Sequence, residues 1–467
     1  MSLVDNLIIL LFFSLIIIFS IYQKKNLTNN IESYFLAGKD IHWVIAMLSI
    51  VATETSVLTF VGIPAISYTA GNWNFLQVVF GYILGRILVS YFLLPMYFKE
   101  GIVSIYQVIG KRFGKSIQKM ASLTFLITRL FADGVRFLAT ASIVSIITGW
   151  GLDVSILVIG IITIFYSSIG GFKTILWVDG FQFFIYLSCG VLAVIHIYGS
   201  ELFNYQNIYQ NGFFDIINYS TNSLSSKGLI MSMLAGILMS FGSHGIDYLM
   251  VQRVLSTNNL TNAKKAMIGS GFFVFIQFSI FLCVGTFLLS GTFFDSTVAS
   301  SEIFTVYIRD YIPSGLRGIM LAGALSAAMS SLSSSINSLA SSTIIDILGK
   351  SFNMKKSIIT SILWGILLTV FSLIFDYNPE SSVVILCLKI VSFTYGGLIS
   401  LFIFARLKMP FSKESIMIGY ISSIVILLIL AYYYIPWEYY ISISILSNFI
   451  ITYFVNFSIK SIKRVKY

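Results

Sequence analysis

Apolar runs of about twenty residues, each closed by a short polar segment, recur from one end of this chain to the other. Thirteen can be marked: 4–22, 42–70, 73–98, 119–148, 152–170, 176–199, 227–251, 265–291, 314–347, 357–375, 382–405, 415–434 and 439–458. Each is long enough to cross a hydrocarbon core of ~30 Å as a helix. Apart from closed barrels, helices are the solution there, because lipid offers no partner to backbone amides and carbonyls. The pattern predicts an all-α membrane protein with 13 transmembrane helices. No Pro- or Gly-rich linker breaks it, so one transmembrane domain over 1–467 is expected.

Composition agrees: 57% of the residues are apolar and 10% charged, against roughly a quarter charged in soluble chains. The net charge of +10 would suit nucleic acid, but its distribution points elsewhere. Basic residues gather in alternate loops: Lys24, Lys25 and Lys39; Lys99, Lys111, Arg112, Lys115 and Lys119; Lys173; Arg253, Lys264 and Lys265; Lys350, Lys355 and Lys356; Arg406, Lys408 and Lys413; and the tail from Lys460 to Lys466. The intervening loops hold acids such as Asp153, Glu201, Asp215, Asp295, Asp310, Asp376 and Glu380. By the positive-inside rule the N-terminus lies outside and the C-terminus in the cytoplasm, in an inner (plasma) membrane. The lipid bilayer accounts for the basic charge, with no nucleic acid. The run 4–22 lacks a basic leader and a small-residue cleavage site, so it reads as a retained span.

Polar residues at membrane depth are costly and are functional candidates by default. The span 314–347 contains Ala327, Ser330, Ser331, Ser333, Ser334, Ser335, Asn337 and Ser338. Residues three and four apart share a helical face, so Ala327, Ser330, Ser331 and Ser334 can present oxygens to one side, with Ser333 beside them. Such hard, neutral oxygens suit sodium; small residues equally allow close helix packing. In 42–70, Ala52-Thr53-Glu54-Thr55-Ser56 competes with its own backbone, and Gly62 and Pro64 weaken the helix further. An interrupted helix whose freed carbonyls face a cavity is a transporter device; a buried polar seam is the alternative. Asp179, beyond Gly170-Gly171, meets either a cation or a basic side chain. Asp133, Arg136, Asp247 and Lys389 are further charges within spans, and Asp133 and Arg136 are spaced to pair on one helix. Arg86 and Arg129 lie nearer span ends, where long side chains can snorkel to the interface. His42, His196 and His244 are scattered without metal-ligand spacing, and no phosphate-binding loop is present, so neither an enzyme nor a primary pump is indicated.

Five stretches in order resemble the sodium:solute symporter family: Glu32 to Gly38, Gly110 to Gly114, Gly170 to Asp179, His244 to Arg253, and Gly318 to Asp346. The resemblance runs to about Arg406. It implies a leucine-transporter-like fold with an inverted five-helix repeat core, here 42–199 and 227–405, flanked by peripheral helices in 1–41 and 406–467. It also implies a co-transported sodium ion held by Ala52, Thr55 and Ala327 through backbone carbonyls and by Ser330 and Ser331 through hydroxyls. In the sialic acid branch a second sodium is held by positions matching Asp179, Ser333 and Ser334. Ser56, Thr59 and Arg136 match solute-contacting positions of that branch, with Gln77 and Asp247 as further substrate-binding candidates. The Asn and Gln of glucose-type members are replaced by Glu54 and Thr59.

The expected function is sodium-coupled import of a small organic solute by alternating access, a carboxylate or acidic sugar first among the choices. The alternatives are a symporter of a neutral sugar or polyol and, in another class, a membrane sensor or transceptor, which would be expected to carry an output domain beyond Tyr467. No obligate protein partner is evident.

Overall fold

The computed structural model describes residues 1–25, 30–217, 228–294, 298–349, 353–375 and 383–465. Asp295, Lys350, Asp376, Glu380 and Lys466, used above to orient loops, lie outside the described residues. The main helices are α1 (Leu3–Lys24), α2 (Trp43–Glu54), α3 (Val57–Ala70), α4 (Leu76–Phe92), α5 (Lys115–Thr148), α6 (Leu152–Tyr198), α7 (Leu229–Gly245), α8 (Tyr248–Leu255), α9 (Leu260–Ser290), α10 (Leu316–Ser342), α11 (Met354–Ile374), α12 (Val383–Arg406), α13 (Lys413–Tyr432) and α14 (Tyr440–Val465). Among the described residues, β-pairing is confined to an isolated bridge between Ile41 and Thr257.

Among the described residues ten helices are long and apolar enough to span a membrane, and the number rises to twelve if each of two bent pairs is one span. The thirteen expected runs are not matched one to one, because 152–170 and 176–199 both fall in α6. At 47 residues this helix would reach about 70 Å if straight, over twice the membrane core. Gly171 divides it, with φ +65° and ψ −173°, a conformation that glycine adopts without a Cβ penalty.

The bent pairs are α2–α3 and α7–α8, each turned by 63°. The first break falls on the polar cluster rather than at Gly62 or Pro64, which stay inside α3. Thr55 and Ser56 take extended backbone (ψ 111° and 171°), and Ser56 starts α3 with Thr59 as the reciprocal capping residue. The second break, not foreseen in 227–251, has a polar origin too. Asp247 leaves the helical region and accepts the Leu249 amide at 3.0 Å, capping α8.

Burial ranks the helices. The spanning stretch of α10 is 94% buried, against 28% for α1 and for α14, so α10 is the axis and those two are peripheral. Outward-facing Leu10, Ile18, Ile161, Phe184, Ile195, Leu363, Leu428 and Leu446 form an apolar exterior of a kind that water-exposed folds avoid. Glycines permit the tightest crossings: a Cβ on Gly236 of α7 would lie 2.1 Å from the Val78 carbonyl oxygen of α4. Asp5 of α1 accepts the amides of Gly315 and Gly318 at 2.8 and 2.9 Å, placing a carboxylate on the positive end of α10.

Candidate ion- and solute-binding site

A helix that stops at Glu54 leaves its last carbonyls without intrahelical donors. Val51 still receives the Thr55 amide at 2.9 Å. The next two carbonyls turn to α10: Ser330 donates to Ala52 at 2.9 Å and Ser331 to Thr53 at 3.2 Å. The Ser330 hydroxyl is also 3.3 Å from the Ala327 carbonyl oxygen. Three of the five oxygens expected around sodium therefore converge on Ser330. Ala52, Thr55, Ala327 and Ser330 line one small cavity together with Gln182, Phe183, Tyr186 and Ser326. The Thr55 hydroxyl is held by Gln277 at 2.9 Å, which fixes the residue at the break.

The serine cluster divides by direction. Ser335 donates to Asp133 at 2.5 Å, and Ser338 stays within its own helix on the Ser335 carbonyl. Ser333 donates to the Ser330 carbonyl at 3.2 Å. Ser334 lies 3.1 Å from the Thr53 hydroxyl and also receives Arg253. Asp179, fully buried, accepts Ser49 at 2.6 Å and has the Arg253 guanidinium 3.3 Å away. The carboxylate considered for a second sodium thus has a cationic neighbour from α8. Arg253 also donates to the Ser49 and Thr53 hydroxyls, at 2.9 and 2.5 Å.

The solute candidates are placed less uniformly. Asp247 accepts Arg129 and the Tyr395 hydroxyl, the latter at 2.7 Å, and is buried. Asp133 accepts Arg129 at 3.1 Å besides Ser335. Arg136 reaches Asp133 only at 3.9 Å, keeps 23% of its side chain exposed, and has a buried Nε with no partner. Both pairings of Asp133 exist, and the closer is with Arg129. Ser56 and Thr59 lie together at the first break, the Thr59 hydroxyl 3.5 Å from the Ser56 amide. Gln77 donates to the Ile216 carbonyl at 2.7 Å. Among the described residues it makes no hydrogen bond to Ser56, Thr59 or Arg136.

Two expectations are corrected. Arg86 and Arg129 do not snorkel: Arg86 is fully buried and paired with Glu54, and Arg129 is buried between Asp133 and Asp247. An intramembrane guanidinium is cheaper beside a carboxylate in the bundle than stretched toward an interface. His244 of α7 has its Nε2 3.5 Å from Glu54 and so lies between the two breaks. Gln277, Gln182 and Tyr395 have no role in the sequence reading, and the signal available is that each is a polar residue inside an apolar run; Arg253, counted there as a loop charge, is fully buried in α8.

The sodium:solute symporter family matches residues 34–423. Sodium-coupled monocarboxylate transporter 2 of Mus musculus is 25% identical over 352 residues, 72% of this chain and 56% of that protein. The sodium/iodide cotransporter of Homo sapiens is 24% identical over 332 residues, 68% and 51% respectively. The chain spans about half the length of these curated relatives. A solved Na+-coupled sialic acid symporter, in a substrate-bound outward-open state, superposes with a TM-score of 0.85 at 24% identity over 97% of both chains. A nucleobase-cation-symport-1 family transporter follows at 0.56 and 13%, covering 91% and 93%. The fold is leucine-transporter-like. With the match extending from Tyr34, ahead of the first broken helix, to Ser423 in α13, the chain belongs to the sodium:solute symporter family.

Proposed function

We propose that this protein couples sodium entry to the import of a small organic anion by alternating access. The observation that carries the reading is the convergence of neutral oxygens at the first break, where Ser330 and Ser331 of α10 meet the freed carbonyls of Ala52 and Thr53. Sodium would be held by the carbonyls of Ala52, Thr55 and Ala327 and the hydroxyls of Ser330 and Ser331, hard ligands without net charge. The equal bends of α2–α3 and α7–α8 support inverted repeats over 42–199 and 227–405 that rock around this point. The loop charges support a cytoplasmic C-terminus.

Buried charges near the breaks favour an anionic solute. Glu54 pairs with Arg86, and Asp179 with Arg253, while Asp133 and Asp247 balance Arg129 and Arg136. Adding one sodium beside these four balanced pairs leaves a positive charge there that a solute anion cancels. Arg136, the loosest member, would take the carboxylate through two parallel hydrogen bonds, beside Ser56 and Thr59. The names of relatives fit: a monocarboxylate, iodide and sialic acid are anions. A second sodium at Asp179, Ser333 and Ser334 would have Arg253 on the Oδ2 side of the carboxylate as its neighbour, with the buried, unpartnered Oδ1 as the oxygen open to it.

The test is uptake into proteoliposomes of a panel of labelled monocarboxylates, sialic acid, iodide, neutral sugars and polyols, with and without an inward sodium gradient. Sodium-driven accumulation of at least one carboxylate is expected. Accumulation of a neutral sugar that no carboxylate competes with would overturn the anion assignment; no sodium-dependent uptake by any panel member would count against symport.

A further inference from the structure

The cavity at the first break is walled in part by Gln182 and Tyr186, to which the resemblance assigns no role. Asp179, Gln182 and Tyr186 fall three and four residues apart, on one face of α6. Gln182 and Tyr186 line the same cavity as Ala52, Thr55, Ala327 and Ser330. Gln182 is 1% exposed, and neither its amide oxygen nor its amide nitrogen has a hydrogen-bond partner; the Tyr186 hydroxyl is likewise buried and unpartnered. Buried polar side-chain atoms without partners are rare and call for an explanation.

The surroundings distinguish the two ends of the amide. Tyr166 lies beside Gln182, but its hydroxyl proton goes to the Met329 carbonyl at 2.9 Å. Tyr166 can therefore offer Gln182 only a lone pair, which suits the amide nitrogen and leaves the oxygen without a donor. An amide oxygen is chemically the same kind of ligand as the three backbone carbonyls assigned to the ion: hard, neutral and strongly dipolar. Five protein oxygens are assigned to the ion, and sixfold coordination is common for hard cations among oxygen ligands.

We propose that the Gln182 side-chain oxygen is a further ligand of the sodium held at the first break, drawn from α6. The proposal rests on the sodium site assigned above. It ties a third helix to the ion, so that sodium joins α6 to α2 and α10 directly rather than through packing alone.

The experiment follows sodium-dependent thermal stabilisation of purified protein in detergent, titrating sodium against potassium at constant ionic strength, with lithium as a second probe. Gln182→Met keeps the length and removes the oxygen; Gln182→Glu keeps an oxygen at the same reach. The expected result is at least a fivefold rise in half-stabilising sodium for Q182M, a smaller loss for lithium, and wild-type or tighter sodium dependence for Q182E. Should Q182M not fold, Gln182→Asn, which withdraws the oxygen by one methylene, is expected to give the same direction. Wild-type sodium dependence in Q182M and Q182N would overturn the assignment, and so would equal losses in Q182M and Q182E, which indicate packing. Ser330→Ala and Ser331→Ala, run in parallel, separate the levels. If they shift sodium dependence and Q182M does not, this ligand alone is wrong. If neither serine variant shifts it, the site itself is misplaced.

Discussion

Truncating Ser330 probes the sodium site with a magnitude that the structure allows to be worked out. Its hydroxyl donates to the Ala52 carbonyl at 2.9 Å and lies 3.3 Å from that of Ala327. Ser330→Ala removes a ligand oxygen from the ion-bound form, comparable to losing a hydrogen bond to a charged group, about 1.5–3 kcal/mol. It also deprives the ion-free form of the bond to Ala52, worth about 1 kcal/mol. Only the difference, about 0.5–2 kcal/mol, weakens binding, so half-activating sodium should rise about 2- to 30-fold. Ser331→Ala, whose hydroxyl holds the Thr53 carbonyl at 3.2 Å, should behave alike. Ser338→Ala is the control, because that buried hydroxyl bonds only the Ser335 carbonyl of its own helix, at 3.2 Å. Sodium activation of uptake in proteoliposomes, or sodium-dependent thermal stabilisation, reads all three. Shifts under twofold in both Ser330→Ala and Ser331→Ala, with expression preserved, would refute the reasoning and return the serines to packing.

Arg136→Lys keeps the charge and loses the bidentate geometry; it should cost about tenfold or more in solute affinity while leaving the melting temperature within a few degrees, and unchanged affinity would place Arg136 in an internal pair with Asp133. Asp247→Asn leaves the buried Arg129 guanidinium with Asp133 as its remaining carboxylate and should destabilise the protein, by at most about 3–5 kcal/mol, the cost of an unpaired buried charge, measured as detergent-phase unfolding, whereas a near-neutral change would mean that Asp133 alone suffices. With Arg253 already balancing Asp179, sodium activation should follow a Hill coefficient near one; a coefficient clearly above one that falls in Asp179→Asn would instead place a second sodium on that carboxylate, whose Oδ1 has no hydrogen-bond partner. Gly236→Val should separate α7 from α4, because a Cβ there would lie 2.1 Å from a backbone oxygen, and loss of folded yield is the readout.

Much of this architecture is legible along the chain because lipid imposes a one-dimensional rule. Every span must satisfy its own backbone, so length and apolarity alone mark helices such as Leu3–Lys24 and Lys413–Tyr432 without reference to neighbours. The first break is local as well, since the polar run Thr53 to Ser56 competes with its own helix. Proximity in space is not local. That the hydroxyls of Ser330 and Ser331 meet the carbonyls of Ala52 and Thr53 depends on two helices separated by more than half the chain, and helical periodicity names a face without naming what it touches. The same holds for charge: from sequence Arg86 and Arg129 read as snorkelling side chains and Arg253 as a loop charge, and only packing buries them with Glu54, Asp247 and Asp179 beside them. The second break belongs to this class too, because Asp247 caps α8 while its carboxylate is held by Arg129 from α5 and Tyr395 from α12, contacts that no window of residues 227–251 contains. Sequence periodicity therefore determined which segments cross the membrane, while tertiary packing decided which oxygens and charges meet, since electrostatic and coordination energies depend on distances between groups that the chain order leaves free.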